Sequence, residues 1–155
     1  MQPFYQDWKL VKFLNILLFF NVLFLTGCIN EPKTGPVTMK FDRDMCERCR
    51  MLISDRFHAA QVRGGNKNKA YKFDDIGGAI IWLDEQTWKD ESKTEVWVTH
   101  HETGEWINAK EAWYVQEKHT PMNYGFSAEA VKRATAVDYT TMAMAVVESE
   151  KENRR

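Results

Sequence analysis

With 21 Lys plus Arg against 22 Asp plus Glu in 155 residues, the chain has a net charge of −1 and both signs spread along it, which excludes the electrostatic footprint of a nucleic-acid-binding protein. The length fits one ordinary domain with a hydrophobic core. Six Trp, five Tyr and nine Phe exclude a disordered chain and argue for a packed body.

The N-terminal segment reads as an export signal. Lys9 and Lys12 lead into the apolar run "FLNILLFFNVLFL", Phe13 to Leu25. At about 1.5 Å per residue such a helix reaches only about 20 Å, short of the roughly 30 Å hydrocarbon core, so the run is an h-region and not a stable span. The following "LTGC", Leu25 to Cys28, resembles the lipobox of bacterial lipoproteins, which are cut before the cysteine and acylated on it. The expected organisation is a signal peptide over 1–27, lipidation at Cys28, a Pro/Gly-containing tether over 28–37, a domain over 38–147 and a charged tail over 148–155. A lipid anchor of two or more chains holds such a protein stably at a membrane, here expected to be the outer membrane, facing the periplasm. With Cys28 consumed by lipid, Cys46 and Cys49 remain as the free thiols in an oxidising compartment.

Beyond the tether the elements follow in order. "HAAQVRG" and "KAYKFDD" flank the turn residues "GNKN" and predict a β-hairpin. "DIGGAIIWLDEQTW" predicts a helix with Asp75 as N-cap and Ile76, Ala79, Ile80 and Leu83 on one face. Capping accounts for Asp75 better than a catalytic pairing with Asp74 does. "TEVWVTHH" and "EAWYVQE" read as strands on either side of "ETGEWINAK", which reads as a tight turn with one helical turn. "YGFSAEA" predicts a further strand, and "VDYTTMAMAVVESEKENRR" a final helix with a frayed tail, Met142 and Met144 filling its core face. The fold class is α+β: small antiparallel sheets with packed helices, in two loosely related ββα-type halves.

The chemistry concentrates in "DMCERCRML", Asp44 to Leu52, where Met45, Cys46, Cys49 and Met51 bring four sulfur atoms together. Three readings stay open. A thiol-disulfide oxidoreductase would place C-x-x-C between a strand and a helix of a βαβ unit, whereas here it follows the polar "KFDRD". A structural zinc domain would need two histidines, and only His58 is near, with His100, His101 and His119 far along the chain. Monovalent copper accepts few ligands and prefers soft thiolate and thioether sulfur. Cys46, Cys49 and Met51 lie within six residues, and Met122 in "HTPMNYGF" sits on a loop constrained by Pro121 and Gly125. The adjacent His100 and His101 would point to opposite faces of a strand, so solvent exposure beside the turn is their expected state. No Ser/His/Asp order, phosphate-cradling loop or H-E-x-x-H run is present, and the expectation is a protein that is not an enzyme.

Taken together, C-x-x-C-x-M, "FDDIGGAIIWL", "TGEWINAKEAWYV" and "TPMNYGF", in this order, resemble the nitrous oxide reductase accessory lipoprotein family, NosL. The resemblance covers roughly residues 39–127. It implies a periplasm-facing, lipid-anchored Cu(I) metallochaperone of α+β fold. Its implied donors are Cys46, Cys49, Met51 and Met122, and its implied partner a client copper enzyme such as nitrous oxide reductase. Arg50 stands where the family usually carries glycine, and the segment after Phe126 does not follow the family's pattern.

Overall fold

β1 (Ala60–Gly64) and β2 (Lys69–Phe73) pair antiparallel, with Ala60 opposite Phe73 and Gly64 opposite Lys69. They form the expected hairpin, turned through Gly65 and Asn68 at φ 71° and 48°. The structure is a computed structural model that describes residues 11–13, 15 and 32–155; the signal segment's apolar run and Cys28 lie largely outside them. Among the described residues no helix is long and apolar enough to cross a membrane.

The body, Pro32–Arg155, is α+β as expected. One sheet has the order β2-β1-β3-β4, with β3 (Glu95–Thr99) and β4 (Trp106–Asn108). The other has the order β6-β5-β7, from β5 (Trp113–Gln116), β6 (Phe126–Glu129) and β7 (Val137–Asp138). All pairings within both sheets are antiparallel. Two helices complete the body: α1 (Ile76–Asp84) and α2 (Tyr139–Asn153). Two details differ from the sequence reading. "ETGEWINAK" contributes β4 besides a single turn closed at Asn108 by Ala112 N–H at 3.1 Å, because Trp97, Val98 and Thr99 offer a free edge to Asn108, Ile107 and Trp106. β3 and β4 thereby extend the first hairpin's sheet, so the second half lends two strands to the first.

β1 is buried along its whole length, which a strand with one wet face cannot be. Ala60 and Val62 face the core, while Gln61 and Arg63 on the opposite face are covered by the segment expected as tether. The Gln61 side chain accepts from Val37 N–H at 2.8 Å and donates to the Val37 carbonyl at 2.9 Å. Arg63 Nε donates to the Gly35 carbonyl at 3.1 Å. Residues 35–37 are therefore part of the folded body. Over the hairpin, Tyr71, Trp82 and Trp88 bring their rings together, with centroids 4.4 Å apart for Tyr71 and Trp82 and 5.8 Å for Trp82 and Trp88.

α1 begins as the sequence predicts: the buried Asp75 carboxylate accepts from Gly77 N–H at 2.6 Å, satisfying one of the unpaired amides of the first turn. Asp138 caps α2 in the same way, accepting from Thr141 N–H at 2.8 Å. α2 packs on α1, and its Met142 and Val146, four residues apart, are both buried in the common core. Met144, expected in the core, points to solvent and is 62% exposed, since two residues along a helix turn a side chain to the opposite flank. The helix continues through most of the segment expected as a tail, ending at Asn153.

Candidate metal centre

The sulfur-rich segment is a narrow loop closed by main-chain hydrogen bonds. Asp42 N–H donates to the Ile53 carbonyl and Ile53 N–H to the Asp44 carbonyl, each at 2.9 Å, and Met45 bridges to Leu52. At the tip, Cys46 N–H donates to the Met51 carbonyl at 2.8 Å and Arg50 N–H to the Cys46 carbonyl at 3.0 Å. This closure requires a left-handed residue after Cys49, and Arg50 adopts it at φ 63°, at a cost of about 1 kcal/mol for a side chain with a Cβ. The loop is docked on β2: Glu47 N–H donates to the Lys72 carbonyl at 2.8 Å, and Lys72 Nζ pairs with Asp44 at 2.6 Å.

Docking on β2 brings the thiols to the residue that leaves this strand. The donor atoms of Cys46, Cys49 and Asp74 lie within 4.8 Å of one another. Both cysteines are free, and Cys49 Sγ donates to Asp74 Oδ2 at 3.5 Å. Cys46 is 1% exposed and Asp74 4%. Burial pushes the Cys46 thiol up to about 12, so in the absence of metal it holds its proton. The second Asp74 oxygen, Oδ1, is buried and has no hydrogen-bond partner among the described residues. A carboxylate oxygen is costly to bury without a partner, by about 1–3 kcal/mol or more, and here it stands beside two thiols.

Met51 lies where the loop leaves its tip and is 51% exposed. Met122 is half-buried in the turn after β5, and its N–H donates to Asp75 Oδ2 at 3.4 Å. Met51 follows Cys49 by two residues in the loop, and the backbone of Met122 is tied to Asp75, the neighbour of Asp74. Burial outweighs the hydrogen bonds that Asp75 receives from Thr120, Gly77 and Met122 and raises its carboxyl above the ordinary range. Arg48, between the two cysteines, reaches out of the loop. Its Nη1 donates to the Tyr124 hydroxyl, and its Nη2 pairs with Glu150 of α2 at 2.7 Å.

No histidine joins the cluster. His58 is held elsewhere, its Nδ1 at 2.8 Å from Asp55 Oδ2 and its Nε2 at 3.2 Å from Glu117 and from Ser127. Burial works to lower its pKa, but the hydrogen bonds and charges of Glu117 and Asp55 prevail and raise it. His100 and His101 stack at 5.5 Å with their planes 16° apart. β3 ends at Thr99, so the strand rule of opposite faces does not hold for the pair, and both rings are half-buried. His101 Nδ1 lies 3.2 Å from the Ala128 carbonyl.

Asp74 and Arg48 were not singled out from the sequence as members of this site. For Asp74 the clue was present: once Asp75 is assigned to capping, its neighbour in "FDD" has no structural task. No local clue marks Arg48, whose partners are 76 and 102 residues away.

No family model matches the chain, and no curated protein matches it. Among solved structures it is similar to the crystal structure of the copper chaperone NosL from Shewanella denitrificans. The two share 20% identity over 76% of this chain and 88% of that chain, with a TM-score of 0.50. At this identity the likeness is one of fold: the chain has a NosL-like α+β architecture.

Proposed function

We propose that this protein binds Cu(I) between Cys46 and Cys49 and hands it on, acting as a metallochaperone and not as an enzyme. The observation that carries this reading is the convergence of two free thiols and a buried, half-unpartnered carboxylate on a fold shared with a copper chaperone. Thiolates and thioethers suit Cu(I), whereas a carboxylate is a harder donor than the ion prefers. Asp74 therefore contributes negative charge beside the cation, and Met51 and Met122 complete the soft donor set. Met51 is half-exposed, so an ion it helped to hold would be within reach of an acceptor protein, whose donors could replace those of the chaperone one at a time.

The proposed acceptor is a copper enzyme such as nitrous oxide reductase. The redox alternative fares worse, because the C-x-x-C pair lies in a loop and not at the start of a helix whose N-terminus would lower a thiol's pKa. A structural zinc site lacks its histidines. The test is a competition titration against a Cu(I) chelator, under reducing anaerobic conditions, of the wild type and the Cys46→Ser/Cys49→Ser variant. The wild type is expected to bind one Cu(I) per chain and the variant none; equal binding by both would remove copper from the account, and preference for zinc under competition would replace it.

We also propose that Cys28 is acylated and holds the protein to a bacterial membrane facing the periplasm, with the outer membrane as its site. "LTGC" behind a short apolar run supports this. Intact-mass analysis of the membrane fraction is expected to give a chain that begins at Cys28 and carries acyl chains. A chain of that length without acyl mass would refute the anchor.

A further inference from the structure

We propose that Arg48 is a positioning residue that latches the Met122 turn to the cysteine loop and so keeps the Met122 thioether available to an ion held by the thiols. This rests on the reading of the cluster as a copper site.

Besides the bond of the Thr120 side chain to Asp75, three contacts hold the Met122 turn. Beneath Met122, its N–H donates to Asp75 Oδ2 at 3.4 Å. Beneath Tyr124, the ring root fills the space in which a Cβ on Gly77 would stand, 2.3 Å from that position. Both of these anchors belong to the start of α1. The third comes from the cysteine loop itself: Arg48 donates to the Tyr124 hydroxyl, and its guanidinium carbon lies 5.6 Å from the Tyr124 ring centre.

The latch is backed from behind. Glu150 takes the other arm of Arg48 at 2.7 Å, accepts from the Tyr124 hydroxyl at 3.2 Å and is itself held by Arg154 at 2.9 Å. The Arg48 and Glu150 side chains are 22% and 18% exposed, a setting in which a bidentate, charge-assisted arrangement keeps its geometry. Asp75 and Gly77 fix the turn to α1 only. Arg48 ties it to the loop that bears both thiols through its bond to Tyr124, and holds that bond in place through Glu150. Lysine would not reproduce this, since it lacks the planar fork that engages two acceptors at once.

The experiment is a double-mutant cycle in Cu(I) affinity, measured by chelator competition, with amide hydrogen exchange of the metal-free full chain alongside it. Met122→Leu keeps the shape and removes the thioether. Tyr124→Phe removes only the hydroxyl and keeps the ring against Gly77. Arg48→Gln and Tyr124→Phe are each expected to weaken Cu(I) binding about tenfold in the wild-type background and less than about twofold in the Met122→Leu background, the signature of coupled groups. Both are also expected to speed exchange at Met122–Gly125 without metal. Equal loss in the two backgrounds, or unchanged exchange in the turn, would overturn the latch while leaving the copper reading standing. A wild type that binds Cu(I) no more tightly than the Cys46→Ser/Cys49→Ser variant would overturn the copper reading, and with it the latch's role at the metal, whatever the exchange rates.

Discussion

Gly77→Ala is expected to destabilise the metal-free protein by about 3 kcal/mol, at the upper end of what an overpacked site costs, although alanine is the better helix former by about 1 kcal/mol. The added methyl would meet Tyr124 Cβ and Cγ at 2.3 Å and Cδ2 at 2.6 Å. Those atoms are the root of the side chain, so no rotation about χ2 relieves the clash; the turn carrying Met122 has to move. Gly78 is the control. It is the next residue of the same helix, and a Cβ there meets nothing within 4 Å. Gly78→Ala is expected to stabilise by up to about 1 kcal/mol. Urea unfolding midpoints should therefore move in opposite directions. Shifts of the same sign and size would mean that Tyr124 does not rest on α1.

Asp74→Asn is expected to separate binding from stability. The variant keeps the shape and an acceptor for the Cys49 thiol but removes the charge. Cu(I) affinity should fall by about 10- to 100-fold, the range seen when a supporting group of a metal site is lost. The metal-free protein should gain about 1 kcal/mol, because a carboxylate with one buried, unpartnered oxygen is a desolvation cost that the neutral amide reduces. The melting temperature should rise by about 3 °C in a body of this size. Unchanged affinity would take Asp74 out of the site. Lost stability together with lost affinity would make it a structural residue only.

These two variants mark the division between what neighbouring residues decide and what distant ones decide. The hairpin of β1 and β2, the Asp75 cap and the apolar face of α1 were legible, because each depends on groups within a few residues: a turn that takes left-handed residues, a carboxylate two residues before the amide it receives, side chains one turn apart. The C-x-x-C-x-M spacing was legible for the same reason, as was the constraint on the Met122 loop.

β4 was not legible. Three residues with no alternation of their own become a strand only because β3 presents an edge, and that edge exists only after β1 has paired with β3. Met144 was misplaced because its flank of α2 could be assigned only once Met142 and Val146 had entered the common core. Asp74 was seen and set aside, since its meaning comes from a loop 25 residues upstream in the chain being laid across β2 by Glu47 and Lys72. By itself, then, the sequence determined the local elements and the soft-donor chemistry of the cysteine loop. Tertiary structure alone decided that a carboxylate joins the thiols and that Arg48 ties them to the Met122 turn and α2, because a charge finds its partner across 102 residues only when the sheets and helices between have closed.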